Sequence, residues 1–180
     1  LTLLGAGCSP ESKVDDKNLN IEFQEVNQVK VQDAFWKPRF DQWREVTAND
    51  VLNKFEGKHI HNAKECEAND TFRNFDLVAE GKRDIDHHAG APWFDGLVYE
   101  TIRGISDFMS CYPDTRMEQR LDAYIDRIAR AQASEADGYL NTYTQLMESG
   151  HRWGENGGML RWQHDVYNAG MLVEAGIHYY

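Results

Sequence analysis

Asp95 and His164 each stand at the start of a long apolar run, and polar and aromatic residues crowd both positions. Trp93 and Phe94 precede Asp95, while Asp165, Tyr167 and Asn168 follow His164 within about one helical turn. Backbone N–H groups at a helix start point outward along the axis and favour anionic or hydroxyl-bearing ligands. Carboxylate, amide and imidazole groups hydrogen-bond to hydroxyls, and the faces of Trp93, Tyr139, Tyr143, Trp153 and Trp162 suit the apolar faces of sugar rings. The chemistry these types support is carbohydrate binding. Each also has a plainer reading: Asp95 as a helix N-cap, His164 as a satisfied core histidine, and any single aromatic as core.

Other constellations carry less. His59, His61, Glu65 and Cys66 contain metal-ligating types, but no C-x-x-C or H-E-x-x-H accompanies them, so no metal site is assigned. His87 and His88 lie just before Asp95 without a defined role. Phosphate-binding glycine loops and the G-x-S-x-G elbow are absent from the sequence. A formal net charge of −11 argues against nucleic acid as a partner, since such a binder needs a basic face.

The elements that must position these residues follow from periodicity. Residues 21–31 alternate apolar and polar types, with Ile21, Phe23, Val29 and Val31, and predict one or two short strands. Phe40, Trp43, Val51, Leu52 and Phe55 have helical spacing, with Pro38 suited to the helix start and Gly57 to its end. A short helix is expected over residues 73–80. A second long helix, residues 95–112, would bury Leu97, Ile102, Ile105, Phe108 and Met109. A third, residues 116–134, presents Met117, Leu121, Tyr124, Ile125 and Ile128 on one face and charge elsewhere. The fourth begins near Leu160 and has few charges, which predicts burial.

Apolar and amphipathic long helices therefore alternate. The connection between the second and third is very short, whereas residues 58–94 and 135–158 are long. In an up-down arrangement the two long connections fall at one end, and long connections in compact domains are usually functional. This predicts one functional face, beside the starts of the second and fourth long helices. The pattern fits an all-α fold, part of an (α/α)6 toroid with inner and outer helices and a short β segment near the N-terminus. A plain helical bundle is the alternative.

The first residues, LTLLGAGCS, read as the end of a bacterial lipoprotein signal with Cys8 as the lipidated residue and a polar tether to residue 20. The expected location is the bacterial cell envelope, with membrane contact only through that anchor. No stretch approaches the roughly 20 apolar residues of a membrane span. Cys66 and Cys111 are read either as one disulfide or as two buried thiols. The chain begins without Met and ends at Tyr180 without a helix stop, so residues 21–180 are read as the N-terminal part of a larger catalytic domain.

Five segments carry a family resemblance. VKVQDAFWKPRFDQW (residues 29–43), RNFDLVAEG (73–81), PWFDGLVYE (92–100), IARAQASEADGYLNTY (128–143) and HDVYNAGMLVEAGIHYY (164–180) resemble glycoside hydrolase family 127, the last two most specifically. The resemblance implies an (α/α)6 barrel with β-L-arabinofuranosidase activity on arabinose-containing plant-type glycans. It also implies a zinc-bound cysteine nucleophile and a glutamate acid/base, all beyond the equivalent of Tyr180, leaving this stretch without catalytic residues. What carries over is the sugar-binding side: His164 with Tyr167 from the HE-x-Y segment, and Asp95 and Asn74. The sequence departs from the family at Leu97, Asp165 and Gly170-Met171, positions in or near the site. Another toroidal glycosidase, a polysaccharide lyase or a non-catalytic glycan-binding lipoprotein would share these features.

Overall fold

The structure, a computed structural model, describes residues 26–58 and 70–180. Cys8 and the rest of the signal, residues 21–25 of the expected strand segment, and His59, His61, Glu65 and Cys66 lie outside the described residues. Among the described residues every regular element is helical. The described part of the expected strand segment instead forms a 3-10 turn, Val26–Gln28, followed by irregular chain. Alternation alone does not hold a strand without a partner to complete its hydrogen bonds.

The first helical stretch is α1 (Trp36–Gln42), a π turn (Trp43–Thr47) and α2 (Ala48–Phe55), in unbroken succession. Pro38 lies in the first turn of α1, where its missing N–H has no intrahelical partner to lose. Gly57 adopts φ +70° just beyond α2, and the N–H of Lys58 reaches back 2.8 Å to the carbonyl of Asn53, a Schellman stop. Three further helices follow: α3 (Thr71–Ala79), α4 (Phe94–Cys111) and α5 (Thr115–Ala133). The α5 start is fixed by Asp114, whose carboxylate accepts from the N–H of Arg116 and Met117 at 3.0 and 3.2 Å.

Two helix pairs sandwich the core: α4 packs along α8 (Asp165–Tyr179), and α3 packs along α5. Phe72, Phe75, Val78, Tyr99 and Leu121 are all but completely buried between them. Each such side chain contributes roughly 1.5–3 kcal/mol relative to exposure. Phe72 stacks on Tyr124 with centroids 3.9 Å apart, locking α3 to α5. Arg120 ties α5 to α2 by donating to Glu56 (2.8 Å), Asn49 (3.1 Å) and Asn53 (2.7 Å).

Two expectations are corrected. The stretch 135–158 is not simply loop: it contains α6 (Thr142–Met147) and a run of tight turns, Ser149–Gly157, before the single turn α7 (Leu160–Gln163). In α6, Thr142, Thr144, Gln145 and Leu146 are buried, so polar residues rather than an apolar stripe mark its inner face. Nor is α8 buried all round. Asp165, Asn168, Leu172, Ala175 and Tyr179 face the protein at helical spacing, while Val166, Val173 and Ile177 are 64–71% exposed. No described element covers that second face. Among the described residues no helix is long and apolar enough to cross a membrane.

Candidate functional site

The two long connections meet beside the starts of α4 and α8. Asp84 binds the backbone N–H and the hydroxyl of Ser149 at 2.7 and 2.6 Å, and the N–H of Ile85 donates to the carbonyl of Leu146 at 2.8 Å. Arg83 grips Glu135 at 2.6 Å. The one-face geometry expected from connection lengths is present.

Asp95 does not cap α4. Trp93 occupies the cap position, and Asp95 sits inside the first turn, 1% exposed, facing α6. Thr142 approaches it twice, with the backbone N–H 2.7 Å from Oδ2 and the hydroxyl 2.7 Å from Oδ1. On its other side the Thr142 hydroxyl lies 3.1 Å from Nε2 of His88, whose Nδ1 is 3.2 Å from the carbonyl of Gly90. A carbonyl only accepts, so Nδ1 carries the proton and neutral His88 offers Nε2 as an acceptor. The Thr142 hydroxyl has one hydrogen and two acceptors. If Asp95 is protonated, it donates to Thr142 and Thr142 donates to His88, so the chain is complete. If Asp95 is ionised, one link is lost. Burial acts in the same sense. It raises Asp95 to about 6, against the pull of the Thr142 bonds and with Asp165 adding repulsion. It also lowers His88 to about 4, against the Gly90 bond.

Asn74 is completely buried, and both ends of its amide are taken: Nδ2 donates to the carbonyl of Ala89 and Oδ1 accepts from the N–H of Ala89, each at 2.9 Å. Asn74, which the resemblance offered as a sugar contact, thus has both polar atoms engaged within the fold. Asn74 instead fixes the strand of loop carrying His88 to Trp93. Asp95 likewise spends both oxygens on Thr142.

His164 and Tyr167 differ. His164 terminates α7 and caps α8 in the left-handed conformation, φ 60° and ψ 27°. Its imidazole is half-buried, 5.8 Å from the Trp93 ring and 5.8 Å from the Tyr167 ring, and takes no hydrogen bond among the described residues. Trp93 also meets Trp162 edge-on at 5.2 Å. Trp162 and Tyr167 are 47% and 49% exposed, so the cluster opens to solvent with aromatic faces around one unsatisfied imidazole. The Tyr167 hydroxyl donates to Glu100. Trp153 and Tyr139 form a second aromatic pair at 5.1 Å, with the Arg152 guanidinium 4.0 Å over Tyr139. A cleft of about 680 Å³ lies elsewhere, between α3 and α5, where Arg127 already pairs with Asp76 at 2.6 Å.

The family model for the "Beta-L-arabinofuranosidase, GH127 catalytic domain" matches residues 28–180. The chain belongs to this family. A curated relative, the non-reducing end beta-L-arabinofuranosidase of Bifidobacterium longum subsp. longum, is 30% identical over 103 residues, which is 57% of this chain and 15% of the relative. A solved GH127 beta-arabinofuranosidase superposes with a TM-score of 0.69 at 28% identity, covering 86% of this chain and 23% of that one. This GH127 chain therefore spans under a quarter of the length of the relatives it matches. The all-helical fold agrees with an α/α toroid segment.

Sequence reading missed Thr142, Asn141 and Gln163 as site-building residues. The signal was present in the polar run Asn141-Thr142 directly after Tyr139 and Leu140, but polar residues at a buried helix face leave no periodic trace.

Proposed function

We propose that the full-length protein is an exported, lipid-anchored bacterial glycoside hydrolase of the β-L-arabinofuranosidase type, acting on arabinose-containing plant-type glycans. In this reading the residues described supply the sugar-binding side of the pocket. The observation that carries it is His164. Its imidazole takes no hydrogen bond among the described residues, is half-exposed, and is flanked by Trp93, Trp162 and Tyr167 at the mouth of α8. Aromatic faces with a hydrogen-bonding group at their edge match a sugar ring, apolar on its faces and hydroxylated at its rim. Membership of the GH127 family supports the reaction class. Membrane contact through Cys8 rests on the sequence of the first residues.

Among the described residues no three His, Cys, Asp or Glu side chains converge to hold a metal ion. In this proposal the zinc that the resemblance implies is held by residues outside those described. In the proposal the nucleophile and acid/base of a retaining mechanism come from residues beyond Tyr180.

The test is His164→Ala in the full-length protein, with a chromogenic β-L-arabinofuranoside as substrate. The expected result is a loss of at least about tenfold in kcat/KM, or about 1.4 kcal/mol of transition-state stabilisation. Wild-type turnover would remove His164 from the pocket, and glycan binding without any hydrolysis by the wild type would overturn the enzymatic assignment.

A further inference from the structure

His164 is held in a backbone conformation that a side chain with a Cβ disfavours by roughly 1–2 kcal/mol. Something must hold it there, and the structure shows what does. The residue on either side of His164 is fastened by the same short segment, residues 139–141. Before it, the carbonyl of Gln163 accepts from Nδ2 of Asn141 at 2.8 Å. After it, the carboxylate of Asp165 accepts from the Tyr139 hydroxyl. Gln163, Asp165, Asn141 and Tyr139 are all at most 4% exposed, so these bonds are made away from water and do not exchange easily with it. Gln163 is pinned further by its own side chain, whose Nε2 lies 3.2 Å from both the His151 carbonyl and Glu148. Between these anchors the His164 backbone also bonds in both directions, its N–H to the Leu160 carbonyl and its carbonyl to the Asn168 N–H, each at 2.8 Å. Only the imidazole is left to face Trp93, Tyr167 and solvent.

We infer that Tyr139 and Asn141 are positioning residues for His164: together they clamp its two neighbours, hold its backbone left-handed and aim its imidazole into the aromatic cluster. This rests on the proposed sugar-contacting role of His164 only for its functional consequence, not for the clamp itself. Asp165 enters as an acceptor rather than as a charge. One of its oxygens has no hydrogen-bond partner although it is buried, and a neutral amide in its place still accepts from Tyr139.

Three variants of the full-length protein separate the clamp from general stability. Tyr139→Phe removes the bond to Asp165. Asn141→Asp removes the donor to Gln163 but keeps the oxygen that caps α6 by accepting from Thr144 at 3.1 Å. Asp165→Asn keeps the Tyr139 bond and is the conservative control. The first readout is carbethoxylation of His164 by diethyl pyrocarbonate, mapped by peptide mass spectrometry against the exposed His87 in the same sample. The second is KM and kcat on a chromogenic β-L-arabinofuranoside. Tyr139→Phe and Asn141→Asp are expected to change the His164 labelling rate relative to His87 by at least about threefold, while Asp165→Asn leaves it at the wild-type value. KM is expected to rise about tenfold with kcat falling less than about threefold, and neither change to add to His164→Ala. Unchanged His164 labelling in both clamp variants overturns the inference whatever the kinetics. Changed labelling with wild-type kinetics supports the clamp and counts against His164 as a sugar contact.

Discussion

Asp95→Asn tests the buried chain from Asp95 through Thr142 to His88, and its effect follows from the geometry. An asparagine here accepts from the Thr142 N–H through Oδ1 and donates from Nδ2 to the Thr142 hydroxyl, which then donates to His88. It thus reproduces the complete chain of the protonated acid. In the wild type Asp95 is raised from 3.8 to about 6 by burial, so its contribution is fully present below about pH 4 and lost as pH rises through about 6. That loss is about 3 kcal/mol. His88 runs the other way. Lowered from 6.5 to about 4 by burial, it contributes stability present above about pH 6.5 and lost as pH falls through about 4, again about 3 kcal/mol. The two largely cancel in the wild type between about pH 4 and 6.5. The Asp95→Asn variant keeps only the His88 half, so its stability relative to wild type should climb with pH and reach a gain of about 1–3 kcal/mol near neutrality. Urea unfolding of both proteins followed by tryptophan fluorescence, at about pH 4.5 and about pH 7.5, measures that difference. A variant less stable than wild type near neutrality, or a difference independent of pH, would refute the argument.

Two further substitutions test the supports. Asn74→Ala leaves the N–H and carbonyl of Ala89 without their side-chain partner and should destabilise the protein by about 2–4 kcal/mol. Asn74→Asp, which keeps the acceptor but buries a carboxylate against the Ala89 carbonyl, should cost at least as much. Hydrogen exchange at residues 86–93 should rise in both. Gly96→Ala should cost about 1–3 kcal/mol in urea unfolding, because a Cβ there would lie 2.6 Å from Oδ1 of the buried Asn168 and 3.1 Å from the Tyr167 ring. An exposed control, Gly170→Ala, meets nothing within 4 Å and should be neutral or slightly stabilising.

The sequence by itself determined the helices whose burial is one-sided and periodic. Met117, Leu121, Tyr124 and Ile128 recur every three or four residues along α5 and are buried as that spacing requires. Gly57 and Asp114 mark helix ends because their backbone or side chain can do there what few others can. Connection lengths placed the two long segments on one face, and the motifs in residues 128–143 and 164–180 identified the family. Tertiary structure alone decided which of these polar residues spend their hydrogen-bonding atoms on the fold. Asn74, Asp95 and His164 all stand in the sequence as candidate ligand contacts, yet the first two spend their polar atoms on Ala89 and Thr142, partners 15 and 47 residues away. Of these three, only His164 keeps its side-chain nitrogens without a hydrogen bond to the described residues. A buried polar group must find a partner, and the partner's place depends on how distant segments pack, which no local pattern encodes.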